Sequence, residues 1–388
     1  MNTPLVMALD APFGQSHVDA FMPKLAAALE GEGPALVPLP SSPPSVRDEL
    51  LATALPAEAL PDDTALLVPT SGSSGSPKLA MLSGKALRAS AAATHDALGG
   101  GGRWLMALPA THIAGLQVLV RSHLAGYPPV VVDTSQGFRA ESLVDAAKVL
   151  LDDIGTHPRY TALVPTQLQR VLDSGRAGVA ALMAMDAVLL GGAAASIDLI
   201  HQAHNAGITL VQTYGMTETC GGCVYDGVPL DGVAVSLDTH GRISIEGPML
   251  FSGYRGDDAL TREVLFGGAL RTNDIGEFDD HGRLHIIGRA DDVVVSGGFS
   301  VSCTRVEHII SKHPKVDEAL VVGTPDADWG ERVVVVAVTE PAFTLDELRA
   351  DFAGVLESHE LPRQLLRVDA LPFLASGKPD RQAIKRLL

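Results

Sequence analysis

The stretch Thr70-Ser71-Gly72-Ser73-Ser74-Gly75-Ser76-Pro77-Lys78 concentrates groups that could hold a polyphosphate. Backbone N–H groups, hydroxyls and one cation suit that role, and Gly72 and Gly75 put no Cβ in the way. It is not a Walker loop, which needs Gly-x-x-x-x-Gly-Lys-Ser/Thr opening a helix. A flexible Ser/Gly linker would share this composition. The apolar run Ala65 to Pro69 before it and the terminal Pro77-Lys78 favour phosphate binding. A second group, Gln212-Thr213-Tyr214-Gly215-Met216-Thr217-Glu218-Thr219, offers an aromatic and a glycine to frame a flat ring. Its hydroxyl and carboxylate could hold phosphate and Mg²⁺. Arg271 to Gly276 places Asp274 where it could grip a ribose diol. Gly288 to Asp292 precedes the glycine pair Gly297-Gly298, and Ser376 to Arg381 carries one lysine, Lys378, on a turn. Taken singly, each of these also reads as an ordinary turn.

The elements that must position these groups follow from apolar patterning. Short apolar runs at residues 104–108, 130–132, 162–164, 187–190 and 209–211 alternate with helical patterns at 141–152, 167–172 and 195–206. Such alternation predicts an α/β domain with largely parallel sheets. The Gln212 to Thr219 group then sits at the C-terminal end of a strand, where open α/β sheets bind ligands. Residues 1 to about 60 carry a weak signal, with one helix over 18–29. From 228 to 287 the pattern changes to short strands, with Asp279-Asp280-His281-Gly282 as the clearest hairpin turn. Beyond Gly288 a compact α+β segment follows, with strands over 318–322 and 332–338.

A chain of 388 residues exceeds what one core usually accommodates, so two domains are expected. Hydrophobic residues at 46% and charged residues at 19% suit a packed, folded enzyme. The formal charge of −17, without a basic run, argues against nucleic acid and anionic membrane as partners. Any anionic substrate must therefore be drawn by local positive groups. The N-terminus has no signal-peptide pattern and no apolar run reaches membrane-spanning length. Three cysteines form no disulfide framework and fit a reducing, cytoplasmic setting.

In order and spacing, the five groups resemble the motifs of the adenylate-forming superfamily of acyl-CoA synthetases, luciferases and peptide-synthetase adenylation domains. The resemblance covers the chain from about Ala65 onward. It implies a large N-terminal domain (1–290) of mixed and parallel sheets flanked by helices, with a small β-rich subdomain. A small, mobile α+β lid domain (291–388) would follow. It also implies two half-reactions: a carboxylate attacks the α-phosphate of ATP to give acyl-AMP, and CoA then displaces AMP. By this resemblance Thr70, Ser71, Gly72, Ser73, Ser74, Gly75 and Lys78 hold the β- and γ-phosphates. Gly192 and Ala193 contact adenine, and Tyr214 and Gly215 pack on its ring. Thr217 binds the α-phosphate and Glu218 the Mg²⁺, while Asp274 and Arg289 hold the ribose. Asp291 matches the hinge, and Lys378 matches the lysine between the attacking carboxylate and the adenylate. Gly297 and Gly298 line the path of the CoA pantetheine arm.

The segment Leu108 to Leu116 matches the region that puts a histidine, here His112, at the acyl pocket, with Gly191, Met216 and Gly221 around it. The stretch Met216 to Leu230 and the short N-terminal region resemble 2-succinylbenzoate–CoA ligases of menaquinone biosynthesis, in a compact actinobacterial form. Another aryl or medium-chain acid CoA ligase is the alternative. A nucleotide-binding regulatory module would keep the phosphate loop but need no Lys378. Two departures stand out: the reduced region before Thr70, and Phe299 where many relatives carry glutamate. Cys220-x-x-Cys223 has redox or zinc spacing but no second pair, and His201-x-x-His204 reads as a solvated helix face. Small-molecule acid, ATP and CoA are the expected partners; oligomeric state is left open, a homodimer among the options.

Overall fold

The computed structural model describes residues 6–41, 43–55, 59–70, 78–152, 155–372 and 380–388. They fall into two compact units, Met1–Val235 with Ser244–Arg271, and Ser236–Ile243 with Thr272–Leu388.

The first unit contains two sheets. One runs in the order Val6–Asp10, Ala35–Leu39, Thr64–Thr70, Lys78–Ser83 and Gly253–Tyr254. The first three strands are parallel and the last two antiparallel. Ala35–Leu39 is buried throughout and Thr64–Thr70 nearly so, as apolar strands covered on both faces should be. The helix Gln15–Leu29 buries Val18, Phe21, Leu25, Ala28 and Leu29 on one stripe. Against its end, a Cβ at Gly84 would lie 2.1 Å from the Leu29 carbonyl oxygen, so only glycine lets the next helix start there. That helix, Gly84–Ala97, is capped by the Ser83 hydroxyl, which accepts the Ala86 N–H at 3.0 Å.

The N-terminal segment is therefore better ordered than its sequence suggests: two strands and the helix Pro44–Ala54 accompany the one expected helix. Lys78 also departs from expectation. Instead of ending a loop it opens a strand, directly opposite Thr70. Both ends of the Ser71 to Pro77 segment, which lies outside the described residues, are thus pinned side by side.

The second sheet has the order Val228–Pro229, Gly221–Tyr225, Leu210–Met216, Ala187–Leu190, Arg159–Leu163, Arg103–Met106, Val130–Val131. The last five are parallel, as the alternating pattern predicts. On one face pack the helices Ala140–Leu151, Pro165–Asp173, Arg176–Met183 and Ile197–Asn205, through Leu143, Ala147, Leu150, Leu168, Leu182 and Leu199. The helix Ile113–Ala125 contacts the strands Arg103–Met106 and Gly221–Tyr225. Gly115 makes its close entry possible, since a Cβ there would lie 2.3 Å from the Pro109 carbonyl oxygen.

The second unit is built on the sheet Phe299–Ser302, Val293–Ser296, Gly330–Thr339, Val316–Asp326, with Gln364–Arg367 pairing in parallel beside Gly330–Thr339. The run Val333 to Val336 is fully buried because both faces are covered. Val333 and Val335 meet Val306, Ile310, Phe343 and Leu348 on one face. Val334 and Val336 meet Leu320, Val322 and Ile384 on the other. The predicted hairpin turn is present before Leu284–Arg289: the Asp279 carboxylate accepts the His281 and Arg283 N–H groups, and Gly282 takes φ +74°. The Arg283 bond and His285 hold that carboxyl down at about 2. Among the described residues no helix is long and apolar enough to cross a membrane.

Candidate active site

The apolar strand expected over 209–211 continues to Met216, through Gln212 and Gly215, which favour strand little. The reason is a return strand. Gly221 pairs with Met216, Gly222 with Gly215, and Tyr225 with Thr213. A Cβ on Gly215 would lie 2.1 Å from the Gly221 carbonyl oxygen, so the hairpin closes only over glycine. Between the strands, Thr217–Thr219 forms one 3₁₀ turn, and Cys220 takes the left-handed φ of +50° to turn back. The Thr219 hydroxyl accepts the Met216 N–H at 2.9 Å and reaches the Gly221 carbonyl oxygen at 2.7 Å. Thr217 and Glu218 are thereby held at the apex of a locked turn.

Glu218 is fixed twice more. Its carbonyl accepts the Phe251 N–H at 2.9 Å, and its Oε1 accepts the Tyr254 hydroxyl at 2.6 Å. Burial, then the neighbouring Glu218 charge, pushes the Tyr254 phenol well above its ordinary range, so it stays a donor. The Lys78 ammonium lies 5.7 Å from the centroid of the same ring. Tyr254 stands 36 residues from Glu218, and no spacing rule could have paired them. No hydrogen bond engages Glu218 Oε2 among the described residues. One carboxylate oxygen oriented and one left open suits Mg²⁺, which keeps several waters and takes one or two carboxylates beside substrate phosphates. No group of three or more His, Cys, Asp or Glu side chains that could hold a metal ion occurs among the described residues.

Among the other predicted residues of this unit, Gly191 to Ala193 follow a neighbouring strand of the same sheet. Gly191 follows the strand Ala187–Leu190, and a Cβ on it would meet Thr213 Oγ1 at 2.3 Å. Gly192 takes φ +79°, and Ala193 beside it is exposed. Gly221 faces the helix Ile113–Ala125: its Cβ would approach Gln117 at 3.3 Å and Ile113 at 3.9 Å. His112 is the exposed N-cap of that helix, which brings His112 and Gly221, two of the four acyl-pocket candidates, to one helix end. Ser71, Gly72, Ser73, Ser74 and Gly75 lie outside the described residues.

Cys220 and Cys223 are buried, and burial pushes the Cys223 thiol up to about 12 and that of Cys220 further. Burial thus favours the protonated thiol at both positions. His201 and His204 are exposed, as a solvated face requires.

In the second unit Asp274 and Arg289 are strand partners, with an ion pair of 3.7 Å. The Thr272 hydroxyl accepts the Asp274 N–H at 3.0 Å and donates to the Ile243 carbonyl at 2.9 Å, fixing the aspartate's backbone. Gly297 and Gly298 form a two-residue hairpin loop between Val293–Ser296 and Phe299–Ser302, both with positive φ. Beside it lies Trp329, which accepts the Gly297 N–H at its carbonyl and carries the Arg363 guanidinium 3.3 Å from its ring centroid. Phe299, the departure from the usual glutamate, stacks on His359 at 4.6 Å. Sequence reasoning missed this exposed aromatic surface because its members come from three separate segments. Asp291 lies in the 3₁₀ turn Ala290–Asp292, and Lys378 lies outside the described residues.

Arg381 opens the C-terminal helix Arg381–Lys385. It donates to the Val321 carbonyl at 2.7 Å and pairs with Glu307 at 2.8 Å and Asp292 at 3.3 Å. Burial raises the Glu307 carboxyl to about 6, against the opposing pull of Arg381.

Residues 15–255 match the AMP-binding enzyme family and residues 305–378 match the AMP-binding enzyme C-terminal domain. The chain belongs to the AMP-binding enzyme family. It is 44% identical over 384 residues to a probable 2-succinylbenzoate–CoA ligase of Mycobacterium tuberculosis, covering 98% of this chain and 97% of the relative. The o-succinylbenzoate CoA synthetase of Bacillus subtilis, solved with its acyl-adenylate intermediate, superposes with a TM-score of 0.72 at 25% identity. That match covers 98% of this chain and 78% of the solved one. The same enzyme solved with ATP and magnesium gives a TM-score of 0.74 at 25% identity, over 98% and 79% of the two chains. The mixed α/β architecture expected from the AMP-binding motifs is therefore the observed one.

Proposed function

We propose that this chain is an AMP-forming acid–CoA ligase acting on 2-succinylbenzoate, a step of menaquinone biosynthesis, with ATP, Mg²⁺ and CoA. The observation that carries the reading is the 44% identity spanning nearly the whole of this chain and of a relative so named. In the first step a substrate carboxylate oxygen bonds to the α-phosphorus of ATP, and the bond to the β-phosphate oxygen breaks, releasing pyrophosphate. In the second, the CoA sulfur bonds to the acyl carbon, the acyl–phosphate C–O bond breaks, and AMP leaves.

Residues 70–75 and Lys78 would receive the outer phosphates, with Thr70 and Lys78 holding the two ends of that loop together. Tyr214, Gly215, Gly192 and Ala193 would frame adenine, Thr217 the α-phosphate, and Asp274 with Arg289 the ribose. Glu218 would hold Mg²⁺, whose charge offsets part of the polyphosphate's. Gly297 and Gly298 would border the pantetheine path. Division at 290/291 with Asp291 as hinge would let the segment 291–388 serve both steps in turn. ATP and CoA as substrates support a cytoplasmic setting, and a homodimer is the assembly to test by light scattering.

The decisive assay is pyrophosphate release with a panel of carboxylic acids, with and without CoA. A benzoate or fatty acid with higher kcat/KM than 2-succinylbenzoate would refute the substrate, and absence of AMP with every acid would refute the reaction class.

Two variants probe the site itself. Tyr254→Phe removes the donor that orients Glu218, a hydrogen bond to a charged group worth roughly 1.5–3 kcal/mol. The Mg²⁺ concentration for half-maximal adenylation should rise about tenfold or more. An unshifted Mg²⁺ dependence would mean that Glu218 needs no such support. Asp274→Ala should raise KM for ATP by at least about tenfold, since hydrogen bonds to a carboxylate would be lost. Unchanged ATP kinetics would remove Asp274 from the ribose site.

A further inference from the structure

Arg381 stands three residues after Lys378 in sequence, and its guanidinium joins three separate segments of the second unit. Nη1 donates to the Val321 carbonyl at 2.7 Å, in the strand Val316–Asp326. Nη2 lies 2.8 and 3.0 Å from the two Glu307 carboxylate oxygens, in the helix Cys303–Ile310. Nε lies 3.3 Å from Asp292 Oδ1, immediately after Asp291. The set closes on itself, because Glu307 Oε1 also accepts the Val321 N–H at 2.8 Å. All three ionised side chains are three-quarters buried or more, so solvent screens them weakly.

A merely structural staple would not need this geometry. The helix Arg381–Lys385 is already anchored by Ile384, fully buried against Leu320, Val322, Val334 and Val336. Asp380 caps it by accepting the Ala383 N–H at 2.9 Å. What Arg381 adds is a rigid, planar link from the start of that helix to the residue beside the hinge candidate. A lysine, with its donors on a single nitrogen, cannot reproduce a fork that spans three acceptors.

We propose that Arg381, three residues after Lys378 in sequence, is a positioning residue for adenylation, tying the start of the helix Arg381–Lys385 to the Asp292 side of the hinge through its Asp292 and Glu307 contacts. The inference rests on the roles given to Lys378 and Asp291 above. It predicts that the network matters when the lysine must be placed between two anions, and matters little once the adenylate exists.

The test compares Arg381→Lys, which keeps the charge, with Asp292→Asn, which keeps the shape but cuts the link to the hinge side. Each is assayed for pyrophosphate release and, separately, for thioester formation from supplied acyl-adenylate, with thermal melting recorded. Arg381→Lys should lower kcat of adenylation by about tenfold, the loss of roughly one charge-assisted hydrogen bond, with KM for ATP within about twofold. Thioester formation should stay within about twofold, and Asp292→Asn should show the same split at smaller size. Equal losses in both steps, or adenylation unchanged in both folded variants, would overturn the proposal. Should Arg381→Lys fail to fold, wild-type half-reactions in Asp292→Asn overturn it alone. Lys378→Ala run alongside separates the failures: if that variant adenylates normally, the underlying reading falls first.

Discussion

Replacing Lys378 by alanine is expected to cut adenylation by at least about 10²-fold, the order seen when a preorganised charge-stabilising group is removed. Thioester formation from supplied acyl-adenylate should remain nearly intact. Adenylation brings a carboxylate against a polyphosphate inside a chain that already carries −17. An ammonium between the two anions lowers their repulsion and stabilises the negative charge on the oxygens around the α-phosphorus in the transition state. Thiol attack on the finished adenylate makes no such demand, and rotation at Asp291 would withdraw the lysine to admit CoA. Separate measurement of the half-reactions decides the matter. Equal damage to both would make the lysine structural.

The second large effect is expected at Gly215. A methyl group there would sit 2.1 Å from the Gly221 carbonyl oxygen and 2.7 Å from the Gly221 carbonyl carbon and the Gly222 Cα. Every one of these atoms is backbone, so no rotamer change relieves the overlap. The two strands must part, and the Thr217–Thr219 turn between them loses its register. Gly215→Ala should therefore cost about 1–3 kcal/mol or more of stability, as overpacking does, measured by denaturant unfolding. Adenylation should fall with it by well over about tenfold, because Glu218 rides on that turn. A variant with native stability and native pyrophosphate release would show that the hairpin can open without consequence.

How far the molecule was legible in its sequence depended on how local the cause was. The parallel sheet of the first unit was readable because its apolar strands and amphipathic helices alternate with clean periods. Ala35–Leu39 was not, since Pro38 and the prolines after it mask a strand that exists because neighbours bury both its faces. The same holds for Thr213 to Met216, beyond the register with Ala187–Leu190, which is strand because Gly221–Tyr225 returns alongside. Motif residues on one turn, such as Thr217 and Glu218, could be found from spacing. Their supports could not: Tyr254 reaches Glu218 across 36 residues, and Arg381 reaches Glu307 across 74. Lys78 was identified as a phosphate candidate, but its strand position opposite Thr70 came from pairing that no local pattern encodes.

Cys220, Cys223 and Cys303 are all buried. Maleimides and other thiol reagents attack the thiolate at accessible sites, so the native chain is a quiet background for covalent labelling. A single cysteine introduced at Phe266, 81% exposed in the first unit, and another at Val355, 57% exposed in the second, would outcompete all three natural thiols. A donor and acceptor dye pair attached there would report the separation of the two units during turnover, with no natural cysteine removed.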